Sequence, residues 1–287
     1  MENILRRYNN WYAFLKYTTQ DKQTEFDKES RISDKNHNEW AGTPNFETAI
    51  KLARTGWPKG LDKIRELKIQ IDPIISKYFP KLDYSEELYS NIVGGAVNIG
   101  NYINGVPDCM INFKPNYESL KEGKILQRFI IGAGHISNIN HDTIFNRGAC
   151  IVSLVEAMLK FGWQLELWYS HTVQKGNDNF YTSQILLKEF DQPADIDKLA
   201  FAFAHPSMLR RLIFSSEELE SKDIIKKFGF YSGAGYSATT SWDKYKIEST
   251  DIYIPVINEN KTQQEIINEM LALINQAFQF KQKLAEE

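Results

Sequence analysis

The 287 residues carry 34 Lys and Arg against 37 Asp and Glu, a formal net charge of -3, which excludes a global electrostatic pull toward nucleic acid or an anionic membrane. With 25% charged and 42% hydrophobic residues, the composition is that of a globular chain able to bury a sizeable core in one or two domains. Two cysteines without CxxC spacing, Cys109 and Cys150, exclude a disulfide framework and predict packed, reduced thiols.

At the amino terminus, "MENILRRYNNWYAFLK" lacks the apolar core of a secretory signal. No apolar run approaches the ~18 residues of a membrane helix, so no membrane partner is expected. Ile4, Leu5, Tyr8, Trp11, Tyr12, Phe14 and Leu15 fall near one face of a helix, which predicts a helix over Asn3 to Tyr17. A polar linker follows, and Asn45 precedes a periodic run through Phe46, Ala49, Ile50 and Leu52 that Gly56 and Pro58 end. A further helix is expected from Gly60 to Tyr78, with Pro80 blocking its continuation. "SNIVGGAVNIGNYINGVPDCMINF" leaves helix and strand equally open.

From Lys124 the pattern sharpens. Ile125 to Ile131 is an apolar run suited to a buried strand. Asn146 is expected to cap a helix whose Ile151, Val152, Val155, Met158 and Leu159 share one side and which Gly162 ends. "QLELWYS" and "YTSQILLK" read as two strands, the second antiparallel to the first through a ten-residue connection. Helical segments broken at Pro206, a strand over Asp251 to Ile257 and a terminal helix over Thr262 to Lys283 complete the chain. The expected fold class is α/β: a mostly helical region over residues 1–120, then over 121–287 a mostly parallel, Rossmann-like sheet with helices on both faces and one antiparallel edge. Parallel sheets hold ligands at the carboxyl ends of their strands, where Gly132 to Asn140 is expected to lie.

Gly132-Ala-Gly134-His135-Ile-Ser137 approximates the GxGxxG of dinucleotide sites. The expected helix, however, starts about nine residues later, and no acidic residue closes the next strand to hold a ribose. His135, His141 and Asp142 offer a sparse metal set, and Cys150 inside the helix lacks an adjacent base. Ser232 to Ser237, "SGAGYS", has no P-loop lysine and reads as a turn. Arg147 stands near a helix start, a poor place for a cation unless a carboxylate or phosphate accompanies it; a structural ion pair is the expected partner. Arg210 and Arg211, with Arg147 and nearby aromatics, form the candidate nucleic-acid contacts. No catalytic set, cofactor or metal is expected.

"EWAGTPNFETAIKLARTGWPKG", "GVPDCMINF", "NRGACIVSLVEAMLKFGWQLELW" and "DIDKLAFAFAHPSMLRRLIF" together resemble a family of proteins, without assigned activity, encoded by tailed bacteriophages and prophages. That resemblance, from about Trp40 to the terminal helix, implies a phage-encoded protein in the host bacterial cytoplasm or the virion. In element order, residues from Ile125 onward are also similar to a von Willebrand factor A-like domain. There the metal-binding aspartate and first serine fall on Gly132 and Gly134, which have no side-chain oxygen. Ser137, Asn140 and Asp142 are the residues that could rebuild such a site. The expectation is a non-enzymatic interaction or assembly protein that binds a phage structural or host protein. Gly132, Gly134, His135, Ser137, Asn138, Asn140 and Arg147 are its expected binding residues. The alternatives are a nucleic-acid-binding protein and a metal-dependent hydrolase or nuclease.

Overall fold

A computed structural model describes residues 2–20, 38–75, 86–91, 96–115, 126–133, 139–160, 162–176, 178–230 and 251–273. The chain opens on a strand, β1 (Glu2–Tyr8), followed by α1 (Trp11–Thr18), where a helix over Asn3 to Tyr17 was expected. Asn10 separates the two: its side chain accepts from the Ala13 N–H and caps α1. β1 stays extended because β7 (Asn179–Lys188) supplies a parallel ladder of backbone partners from Glu2↔Asn179 to Tyr8↔Ile185.

The amino-terminal helices follow their sequence signals. α2 (Asn38–Ala41) is a single turn, and α3 (Phe46–Thr55) is capped by Asn45, which accepts from the Thr48 N–H. α4 (Pro58–Ile75) begins at Pro58, which has no N–H to lose at a first helical position. The stretch that left helix and strand open contains both. β2 (Glu86–Asn91) and β3 (Ala96–Val97) flank β4 (Met110–Pro115) in a small antiparallel sheet, with α5 (Ile99–Ile103) between β3 and β4. Residues 79–125 form a compact unit separate from residues 1–78 and 126–287.

The larger unit is built on a five-stranded sheet in the order β1-β7-β6-β5-β8, with β5 (Leu126–Gly132), β6 (Gln164–Lys175) and β8 (Ile252–Ile254). Only the β6–β7 pair is antiparallel, so the sheet is mostly parallel and the fold is α/β. β7 is not the edge strand, because β1 pairs outside it. The expected ten-residue connection is largely strand: β6 runs to Lys175, and Gly176 at φ 66 helps turn the chain. α6 (His141–Lys160) joins β5 to β6, starting five residues before Asn146. Asn140 rather than Asn146 caps it, accepting from the Thr143 N–H at 2.7 Å.

Strand registry sets Tyr169, His171 and Val173 of β6 beside Ile185, Ser183 and Tyr181 of β7 and Tyr8, Arg6 and Ile4 of β1. On this face Phe14 of α1 meets Tyr8, and Phe203 of α7 (Ile196–Ala204) stacks on Tyr169. Beyond α7 the chain turns through a wide π-type segment (Met208–Ile213), α8 (Phe214–Glu218) and α9 (Lys222–Phe228). Glu217 of α8 bonds His171, and Phe228 of α9 packs on Tyr181. α4 lies over α6 and α7 as a further layer. The opposite face holds Arg128 paired with Glu166, and Arg7 over the Trp168 ring. That face is buried as well at Ile130, Ser170, Thr172, Thr182 and Gln184. Along β6, half-buried Gln164, Glu166 and Trp168 alternate with fully buried Leu165 and Leu167, and from Tyr169 to Val173 both faces are buried.

Candidate functional site

The carboxyl end of β5 places several of the expected site residues. Gly132 closes β5, and a Cβ there would come within 2.8 Å of the Tyr253 hydroxyl and 3.1 Å of the Ile254 carbonyl, so this glycine serves the packing of β8. Gly134, His135, Ser137 and Asn138 lie outside the described residues, as does Ser232 to Ser237. Asn140 is occupied with structure: besides capping α6, its N–H donates to Asn260 Oδ1 at 2.8 Å. Because α6 starts at His141, only three residues separate it from Ser137, against the nine expected. The end of β6 still offers no acid for a ribose.

Arg147 sits one and a half turns into α6 and is buried, 7% exposed. Its Nη2 donates to the carbonyls of Gly132 and Pro255, each at 2.8 Å, tying the ends of β5 and β8 to the helix. No carboxylate pairs with it among the described residues, so the expected structural ion pair is absent. Burial lowers its pKa to about 10, which leaves it charged at neutral pH.

Arg210 and Arg211 are likewise inside. Arg210 donates to the Trp40 and Ile139 carbonyls and lies over the Trp40 ring; Arg211 donates to Thr43 Oγ1 and the Thr43 carbonyl. These bonds fasten the segment before α3 to the π-type turn, which is why two adjacent arginines occupy an otherwise apolar run. Arg147, Arg210 and Arg211 are therefore brought into the interior and not onto a shared cationic surface. His141 Nε2 meets the Trp40 carbonyl at 3.0 Å, while Asp142 faces solvent in the first turn of α6. Among the described residues no three His, Cys, Asp or Glu side chains cluster as metal ligands. Cys150 is buried and its thiol pushed up to about 12, far from an activated nucleophile; Cys109 is half-buried.

Two arrangements escaped the sequence reading. The first is a cavity of about 400 Å³ at the carboxyl end of β8, lined by Arg147 and by Val256, Ile257, Ile266, Met270 and Leu273 among others. The second is in the smaller unit. Val97, Ile99, Tyr102, Ile103 and Val106 are 47, 69, 68, 76 and 41% exposed. In sequence Ile99, Tyr102, Ile103 and Val106 have the i, i+3, i+4, i+7 spacing of a helical stripe; in the structure the first three are on α5 and Val106 lies beyond its end. Asn98 frames the stripe, capping α5 by accepting from the Asn101 N–H and donating its own N–H to the Cys109 carbonyl at 2.7 Å. Gly105 at φ 69 turns the chain toward β4.

A buried polar row also crosses the large sheet. Glu217 Oε1 bonds His171 Nδ1 at 2.8 Å, and both side chains are essentially inaccessible. Burial raises the Glu217 pKa, against the pull of His171. Glu220 receives both an Arg6 pair and the Tyr181 hydroxyl. The His171–Glu217 pair fixes α8 on the sheet.

Residues 2–277 match the family described as a domain of unknown function, DUF7192, so both units lie within one family pattern and the chain belongs to that family. No curated protein and no solved structure matches the chain. No described helix is long and apolar enough to cross a membrane.

Proposed function

We propose that this DUF7192 protein is a non-enzymatic, phage-encoded interaction protein that docks a phage structural or host protein onto the apolar stripe Ile99, Tyr102, Ile103 and Val106. The observation that carries this reading is the exposure of Ile99, Tyr102 and Ile103 on α5 and of Val106 just beyond it, on a frame pinned by Asn98 and Gly105. A protein that gains nothing from such a stripe places those positions inward or makes them polar, since each exposed group forgoes about 1.5–3 kcal/mol of burial.

The larger unit is, in this reading, a metal-free von Willebrand A-like domain. Its β5–α6–β6–β7 order supports that, and so does chemistry: Gly132 has no oxygen ligand to offer, and buried Arg147 would repel a divalent cation at the same strand end. The setting is the host cytoplasm or the particle. Nucleic-acid binding is the weaker reading because Arg147, Arg210 and Arg211 spend donors on carbonyls.

The test is quantitative capture from phage-infected cells with the full chain and with an Ile99→Ser/Tyr102→Ser/Ile103→Ser variant. A protein lost with the variant and retained at high salt is expected, since apolar contacts survive salt while phosphate contacts do not. An identical protein profile for both forms would sink the proposal.

A further inference from the structure

We propose that the cavity beside Arg147 is a binding site for a small organic anion, a monocarboxylate carried on an apolar body such as a medium-chain acyl group. This goes beyond the docking proposal and rests on a different part of the molecule.

The argument begins with charge. Arg147 is a buried guanidinium whose protein partners are two neutral carbonyls, both bonded through Nη2. Its Nε and Nη1 donors have no protein acceptor among the described residues. Elsewhere in the same unit an arginine is balanced: Arg6 gives Nε and Nη2 to the two oxygens of Glu220. A cation taken out of water without a counter-ion is costly, and the usual remedy is a paired anion. Among the described residues, the Tyr169 and Tyr253 hydroxyls and one carboxylate, Glu269, act electrostatically on Arg147, and Glu269 is engaged by Lys261.

The cavity supplies the rest of the ligand's shape. Arg147 lines a space of about 400 Å³ whose other walls include Val256, Ile257, Ile266, Met270 and Leu273. That size and lining, mostly apolar with the Arg147 guanidinium and a Lys261–Glu269 pair, fit a small amphipathic molecule. One guanidinium balances one negative charge, so a monocarboxylate matches the site and a dianionic phosphate overfills it. Lys261 and Glu269 contribute to the same lining as a pair with no net charge. The acyl body then lies against the apolar side chains, while a carboxylate oxygen accepts from the free guanidinium donors.

Octanoate, octanol and octylamine are the probes, titrated by calorimetry into the full chain with unfolding temperature read in parallel. Octanoate is expected to saturate and to raise the melting temperature, octanol to bind at least about tenfold more weakly, and octylamine not to bind. Arg147→Gln is expected to weaken octanoate at least about tenfold. Ala272→Trp fills the cavity from an exposed lining position while keeping Arg147, and is expected to abolish binding; it decides the matter if Arg147→Gln does not fold. Absence of octanoate binding to the natural chain overturns the proposal. So does equal affinity for octanol or octylamine, or octanoate binding that Ala272→Trp leaves unchanged.

Discussion

The larger unit buries charge, and the smaller one exposes apolar side chains. In the larger, Arg147, Arg210, Arg211, His171 and Glu217 are inside, each holding a segment distant in sequence: Arg211 reaches Thr43, and Glu217 holds His171. In the smaller, Ile99, Tyr102 and Ile103 stay in solvent although residues 79–125 have their own sheet. Interior charges that are hydrogen-bonded specify which segments meet, at some cost in stability. Exterior apolar groups specify nothing within their own unit and are left available for another molecule. Substitution should therefore damage folding in the first region and binding in the second.

The largest effect is expected at the polar pair under α8. His171→Leu removes the hydrogen-bond partner of a fully buried Glu217 and should cost about 3 kcal/mol in urea unfolding. Replacing both, His171→Leu with Glu217→Met, should recover most of that loss, because an apolar pair has no desolvation penalty. A double variant no better than the single one would show that the site cannot accept apolar packing.

The next effect is a pH dependence from His205. Its Nδ1 accepts from the Ser207 N–H, it stacks on Phe201, and burial lowers its pKa to about 3. The folded value lies below the unfolded one, near 6.5, so the unfolded chain takes up the proton first as pH falls. The contribution is intact above about pH 6.5 and is lost progressively toward pH 3. From pH 7 to pH 5 the natural chain should lose about 2 kcal/mol that a His205→Gln variant does not lose. Equal losses in both chains would remove His205 from the account. The smallest effect on stability belongs to the exposed stripe. Ile103→Ser should change unfolding free energy by no more than about 0.5 kcal/mol. A larger loss would mean that the stripe is packed in solution, and the contrast between the two units would fail there.

Much of the sheet was legible. Apolar runs marked β5 and β8, "QLELWYS" marked β6, and Asn45 with Gly56 bracketed α3. β1 was misread because Ile4, Tyr8, Trp11 and Phe14 satisfy a helical period by accident; the β7 ladder, far along the chain, overrides it. The start of α6 was misplaced because Asn140 and Asn146 are equally good caps in sequence, and only the turn geometry chooses. Of the candidate site, Arg147 was legible as an oddly placed cation. Its Pro255 partner and its cavity were not, since Pro255 and Met270 lie more than a hundred positions away.

By itself, then, the sequence determined an α/β chain with local elements set by periodicity, caps and breakers, all of which act within a few residues. Only the tertiary structure decided the strand order and which charges are buried. Those depend on pairings between distant segments, where long-range backbone ladders and desolvation outweigh local preference.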